Sequence, residues 1–143
     1  MRRGLLVIAL GVGFLIAITW LATYITNYVP QRPTPQTSAT QVGTYDVTLH
    51  VDPNPPSLDQ PATLSISLSD HDSHKTVDGA QVIIDGRMED MEMDALRIET
   101  KAQSKGTYIA HFPFNMQGLW QLQVLISRPG QPTLNTLFSV MVA

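Results

Sequence analysis

The feature that most constrains the fold is an alternation of apolar and polar side chains that recurs from residue 45 to the C-terminus. Leu64, Ile66 and Leu68, for example, alternate with serines, so their side chains would lie on one face of a strand. Seven short segments have this apolar character: residues 45–51, 64–68, 82–84, 96–98, 108–112, 120–126 and 137–142. None of them shows helical periodicity, so the pattern predicts an all-β domain.

Turn signals separate these segments. They are the dipeptides Asp78-Gly79, Asp85-Gly86, Lys105-Gly106, Gln117-Gly118 and Pro129-Gly130. About seven short strands joined by such turns predict a small immunoglobulin-like antiparallel β-sandwich. In the segment 120–126 the four apolar side chains, led by that of Trp120, should point inward, and Gln121 and Gln123 should point outward.

An uncharged apolar segment, residues 5–25, precedes the strands. A helix of about 20 apolar residues crosses the roughly 30 Å hydrocarbon core of a bilayer. Arg2 and Arg3 come before the segment and the next basic residue is Arg32. Because positive charge stays on the cytoplasmic side, we expect residues 1–28 to be a transmembrane anchor, with the rest of the chain outside.

The alternative for this segment is a cleaved signal peptide. Such a peptide has an apolar core of about 7–15 residues and a small-x-small cleavage site. The segment here is longer and no A-x-A pattern follows it. The sequence therefore favours a single-pass cell-membrane protein with an uncleaved signal-anchor. Residues 29–43 contain three prolines and many small polar residues, which is typical of an extended linker, and residues 44–143 would form the folded domain.

Charge and cysteine content exclude several functions. All twelve acidic residues lie beyond the apolar segment, against seven of the nine basic ones, so this part carries a net charge of about −5. An acidic surface has no affinity for nucleic acid or anionic lipid, but it can attract cations. The chain has no cysteine, so neither disulfides nor thiolate ligands are available.

Residues 87–94, RMEDMEMD, combine Met88, Met91 and Met93 with four carboxylates. Unpaired carboxylates are rarely buried, so we expect a loop between Gly86 and Ala95. Methionines exposed in a loop lose the benefit of burial and are open to oxidation, which suggests a compensating role. Thioether sulfur is a soft ligand that suits Cu(I), and it does not form disulfides in an oxidising compartment.

Two residues further along the chain extend this predicted copper site. Met116 lies in a predicted turn that would fall at the same end of the sandwich as the methionine-rich loop, and His111 precedes it by five residues. The predicted Cu(I) ligands are therefore Met88, Met91, Met93 and Met116, with the ring of His111 completing the set. Core packing or a protein-contact patch remains the alternative for the methionines. An ordinary surface or core residue remains the alternative for His111.

Other chemistry has less support in the sequence. The loop D-H-D-S-H, residues 70–74, has ligands that suit Zn(II) or Cu(II), although short polar turns often have this composition. Ser73 lies between His71 and His74 without an orienting third group or an oxyanion-hole motif. No glycine-rich phosphate loop is present. We therefore expect a protein that is not an enzyme.

The string GTYIAHFPFNMQGLWQLQV, residues 106–124, with its G-x-Y and G-x-W-x-L motifs, resembles YtkA-like domains and the outer domain of FixH-type proteins. Upstream, AQVIIDGRMEDMEM, residues 80–93, is similar to the strand and methionine-containing turn of YtkA-like domains. The resemblance covers roughly residues 45–142, and the N-terminal anchor matches the FixH-type architecture. It implies the sandwich fold, export, and an association with copper handling or oxidase assembly, but no reaction.

Two functions follow as expectations. The first is a membrane-anchored extracytoplasmic domain that binds Cu(I) for copper handling near a membrane protein such as an oxidase or a copper transporter. The second is an interaction module that binds no metal and docks a membrane protein complex, with its methionines as an adaptable contact surface.

Overall fold

The computed structural model describes residues 2–28 and 34–143, and the side chains of residues 10–24 and 34–143. The chain divides into two compact units, Met1–Arg32 and Pro33–Ala143. The first contains the helix α1, Arg2–Tyr28. Across the described part of the chain, no helix is both long and apolar enough to cross a membrane.

Two threonine side chains inside α1 are satisfied locally. The hydroxyl of Thr19 donates a hydrogen bond to the carbonyl of Leu15 at 2.8 Å, and that of Thr23 donates to the carbonyl of Thr19 at 2.9 Å. Such bonds to the preceding turn let threonine occupy an apolar helix without an unpaired donor. The described side chains of α1, from Leu10 to Tyr24, are all exposed.

The second unit is a β-sandwich of two antiparallel sheets, as the sequence predicts. Its described residues form nine strands: β1 Thr37–Val42, β2 Tyr45–Asp52, β3 Ala62–Asp70, β4 Gln81–Met88, β5 Leu96–Glu99, β6 Lys101–Ser104, β7 Thr107–Phe112, β8 Gly118–Ser127 and β9 Leu134–Val142. One sheet has the order β1-β2-β3-β7-β6, and the other has the order β5-β4-β8-β9.

The core lies between the two sheets and follows the alternation in the sequence. Along β8 every second side chain from Trp120 to Ile126 is buried, whereas Gln121 and Gln123 are half-buried on the outer face, which confirms the predicted orientation. The Trp120 ring meets Phe112 and Phe114 edge-on, with centroids 5.9 and 5.3 Å apart. Its indole N–H donates to the carbonyl of Met116 at 3.0 Å, so the buried polar atom has a partner.

Two of the strands were not predicted. β1 lies inside residues 29–43, which we expected to be linker, and β6 follows β5 after a single residue. Both are edge strands with a neighbour on one side only, and their side chains are exposed or half-buried. Because neither strand fully buries a face, neither has the apolar alternation that identifies the others.

The prediction of a turn at Asp85-Gly86 was wrong. Both residues lie inside β4, which pairs with β8 from Gln81 through Met88. A Cβ at position 86 would overlap Cζ of Phe112 and lie 3.1 Å from Cδ2 of Leu122. The glycine therefore makes room for an aromatic ring of the opposite sheet, and β4 continues to Met88, four residues beyond the predicted segment 82–84.

Candidate functional site

One end of the sandwich, which we call the methionine end, carries four of the five predicted site residues. β4 ends there with Met88 and is followed by the methionine loop, residues 89–95. β8 begins there after the turn 113–117, which contains Met116. Met88 pairs with Trp120, and the backbone N–H of Glu89 donates to the carbonyl of Leu119 at 3.1 Å. The strand register therefore places the loop and the turn at the same end.

The methionine loop forms an open cleft of about 700 Å³, the methionine cleft. Three thioethers and three carboxylates line it, together with one guanidinium and one amide: Met88, Met91, Met93, Glu89, Glu92, Asp94, Arg87 and Gln121. The sequence prediction included the three methionines but neither Arg87 nor Gln121. Both of these point out of the four-stranded sheet, where the register pairs them. The pairing of Arg87 with Gln121 could have identified Gln121 as a cleft residue, but predicting that pairing requires knowing that β4 ends at Met88.

The three methionines of the cleft differ in how firmly they are held. Met88 and Met93 are half-buried and pack against the core. The methyl group of Met88 covers Gly118 so closely that a Cβ there would lie 2.8 Å from it. Met91 is different, because 49% of its surface is exposed. Two thioethers are thus anchored on the core, and one stands at the solvent side.

Met116 lies at the methionine end but is not among the residues that line the cleft. Its side chain is half-buried against the core, and its carbonyl accepts the hydrogen bond from the Trp120 indole. It lies at the same end of the sandwich as the loop, as expected, and its role as a ligand stays a prediction.

His111 lies elsewhere. It is exposed on the outer face of the five-stranded sheet, where its Nδ1 is 3.4 Å from the hydroxyl oxygen of Thr63. Its ring lines a separate cleft of about 360 Å³ beside β5 and β6. The structure therefore brings Met88, Met91 and Met93 into one cleft and does not bring His111 to it.

Three side chains of the polar loop at residues 70–74 have hydrogen-bond partners within the protein. The Asp70 carboxylate accepts hydrogen bonds from the backbone N–H and hydroxyl of Ser73, both at 2.8 Å, and these bonds lower its pKa. Nδ1 of His71 lies 2.9 Å from the carboxylate of Asp46, and this hydrogen bond, aided by the opposite charge, raises the pKa of His71. Among the described residues, no group of three or more His, Asp and Glu side chains is arranged to hold a metal ion.

An ion pair joins the two strands on either side of the methionine loop. Arg97 on β5 donates two hydrogen bonds to the carboxylate of Asp85 on β4, each 2.7 Å long. The Asp85 side chain is only 14% exposed, and the bonds from Arg97 lower its pKa. Such two-point pairing fixes geometry as well as charge. It ties β4 to β5 at the base of the loop.

The fold and the cleft define a small all-β domain with a methionine-rich, acidic end. A family model described as YtkA-like matches residues 39–125, which is more than half of the chain. The protein therefore belongs to the YtkA-like family. No curated protein and no solved structure matches the chain.

Proposed function

We propose that this protein is a membrane-tethered extracytoplasmic domain that binds Cu(I) through Met88, Met91 and Met93. The observation that supports the proposal best is that these three thioethers line a single open cleft. Thioethers are neutral soft ligands, and Cu(I) is the soft ion that they select.

The surroundings of the cleft suit a cation. Glu89, Glu92 and Asp94 share its lining with the thioethers, against the single guanidinium of Arg87. Carboxylates are too hard to be preferred ligands of Cu(I), but their negative potential raises its local concentration. Met88 and Met93 supply two donors already positioned by the core. Met116, at the same end, is the candidate for a fourth donor, while His111 has no place in this site.

Two further parts of the proposal rest on the sequence and the strand order. The uncharged segment 5–25, with Arg2 and Arg3 before it, supports a single-pass anchor. FixH-type proteins, which the chain resembles, have such an anchor. If β2 to β9 are taken as strands A, B, C, C′, D, E, F and G, the sheets read A-B-E-D and C′-C-F-G. This order supports an immunoglobulin-like sandwich extended by the edge strand β1.

The proposed partner is a membrane protein that donates or receives copper, such as an oxidase or a copper transporter. A second candidate is an interaction module that docks a membrane protein complex without metal. Met91 favours it, because an exposed thioether is also an adaptable apolar contact. The two candidates differ in whether sulfur itself is needed.

Replacing both Met91 and Met93 with Leu separates the two candidates. Leucine keeps the volume and apolarity of methionine, so the metal-free protein should lose less than about 1.5 kcal/mol of stability. Leucine has no lone pair, so Cu(I) binding should be abolished. Binding is measured anaerobically on the full-length chain in a nonionic detergent, by competition with a Cu(I) chelator.

Thermal melting supplies an independent measurement. Copper at a hundredfold excess over Kd should stabilise the wild type by about 2.7 kcal/mol and leave the double variant unchanged. Met141→Leu is the matched control, because Met141 is half-buried at the C-terminal end of β9 and does not line the cleft. If the wild type ignores Cu(I), the methionines belong to a contact surface. If Met141→Leu also loses binding, the site extends beyond the cleft to Met141, whose register partner Leu119 lies at the same end of the sandwich.

A further inference from the structure

The methionine cleft holds its three thioethers at unequal depth. Met91 is 49% exposed, whereas Met88 and Met93 are half-buried and packed against the core, as is Met116 at the same end of the sandwich. Oxidation of methionine by a dissolved oxidant requires access of the oxidant to the sulfur. The structure therefore ranks the four residues by reactivity, with Met91 first.

The composition of the chain removes the usual competitor for an oxidant. A low-pKa thiolate normally reacts ahead of a thioether, but this chain contains no cysteine. Beyond Met1, its sulfur atoms are those of Met88, Met91, Met93, Met116 and Met141. Of these five methionines, Met91 is the one whose side chain is exposed; the other four are half-buried.

We propose that Met91 is an oxidation site at which hydrogen peroxide switches the methionine cleft off for Cu(I). In the step, the sulfur lone pair attacks one peroxide oxygen, the O–O bond breaks, and an S–O bond forms. The thioether loses two electrons and becomes the sulfoxide, while the second peroxide oxygen leaves as water after taking up the protons. One peroxide is consumed for each Met91 oxidised.

The modification acts on copper through the change of donor. The sulfoxide offers a hard, polar oxygen where the thioether offered soft sulfur, and Cu(I) selects the soft donor. The negative end of the new dipole also lies among Glu89, Glu92 and Asp94, which share the cleft. The remaining donors, Met88 and Met93, keep their places on the core, so the oxidised protein stays folded but holds copper more weakly. This last step rests on the proposed function, whereas the preference for Met91 does not.

The order of oxidation is tested first. The metal-free full-length chain in a nonionic detergent is treated with limiting hydrogen peroxide, and peptide masses follow each methionine with time. Met91 should be half converted while Met88, Met93 and Met116 are still mainly thioether. Oxidation of Met88 or Met93 at the same rate as Met91 would overturn the proposal. A melting curve of the oxidised sample checks that the fold is intact, because an unfolded chain would oxidise without selectivity.

The effect on copper is tested on the same samples by anaerobic chelator competition. Loss of partners outside the ligand shell already costs about 10–100-fold in metal affinity, so loss of a ligand should weaken Cu(I) binding by at least about tenfold. Met91→Leu should show the same weakening before treatment and no further loss after limiting peroxide. The matched control, Met141→Leu, should respond to peroxide as the wild type does.

The remaining outcomes are distinct. If Met91 is oxidised first and Cu(I) affinity is unchanged, the switch is wrong although the site of oxidation is right. If the untreated wild type binds no Cu(I), the switch falls together with the proposed function, and the peptide masses alone decide whether Met91 is the preferred oxidation site.

Discussion

Gly86 leaves space for an aromatic ring of the opposite sheet close to the methionine end. Gly86 faces the core in β4, and the ring of Phe112 on the opposite sheet occupies the space where a Cβ would lie. The same ring meets Trp120 edge-on at a centroid distance of 5.9 Å. One glycine therefore makes room for an aromatic cluster that includes Trp120, the register partner of Met88.

Replacing Gly86 with Ala tests this contact. Alanine is intrinsically favoured over glycine in a strand by about 0.5–1 kcal/mol. Forcing an extra methyl into a packed core costs typically about 1–3 kcal/mol, so overlap with Phe112 should win and the variant should be less stable. Urea unfolding followed by Trp fluorescence measures the change.

A second substitution shows whether Phe112 is the cause. In the Phe112→Leu background the ring is gone, so Gly86→Ala should cost less than it does in the wild type. A coupling energy of roughly 0.5–3 kcal/mol is typical of residues in contact. Additive effects of the two substitutions would mean that the strain lies elsewhere, for example at Leu122, whose Cδ2 lies 3.1 Å from the same position.

At the scale of strands, the sequence predicted those elements that bury one face and missed those that do not. β8 alternates buried and outer residues from Trp120 to Ser127, and its assignment is confirmed. β6 has four exposed side chains, so nothing in its residues distinguishes it from a loop. Gly86 was assigned to a turn because its packing partner, Phe112, is 26 positions away in the sequence and belongs to the other sheet. Such a partner is visible only in the assembled fold.

The same reasoning explains which site residues could be placed from the sequence. The methionine loop followed from its carboxylates, which cannot be buried unpaired. The separation of His111 from the cleft could also have been predicted, since adjacent residues of a strand face opposite ways and Phe112 is the last apolar residue of the predicted strand 108–112. The sequence alone could not predict that Arg87 and Gln121 line the cleft, because their position depends on where β4 ends and β8 begins.

β1 should contribute to the stability of the sandwich even though it lies in the segment expected to be linker. It pairs with β2 over its whole length, from Thr37 with His50 to Val42 with Tyr45. We expect a fragment of residues 44–143 to melt below a fragment of residues 34–143. Each kcal/mol lost should lower the Tm by about 4–8 °C for a domain of this size.

Loss of β1 should also change the association of the fragments. The shorter fragment exposes the eight-residue strand β2 as a new edge, and long uncovered edges pair with other chains. Sedimentation at increasing concentration should therefore show self-association of residues 44–143 but not of residues 34–143. Equal stability and equal sedimentation of the two fragments would place the start of the folded domain at residue 44.

At the scale of the whole chain, charge divides the protein in a way that predicts its topology. Arg2 and Arg3 precede the uncharged segment 5–25, and all twelve acidic residues follow it. Because basic residues beside a span stay in the cytoplasm, a reporter enzyme that works only outside the cytoplasm should be active when fused after Ala143. The mature chain should retain residues 1–28, which the mass of the purified protein will show.

The charge argument also has a matched control. Replacing Arg2 and Arg3 with Glu removes the basic residues before the segment and leaves Arg32 as the nearest one, so reporter activity outside the cytoplasm should fall. Replacing them with Lys keeps the charge and should leave the activity as it was. A mature product that begins near residue 29 would contradict the anchor, whereas a reporter that is inactive in the wild type would contradict its orientation. Without the anchor, the proposed copper site would lie away from the membrane, and a soluble carrier would replace the membrane protein as the proposed partner.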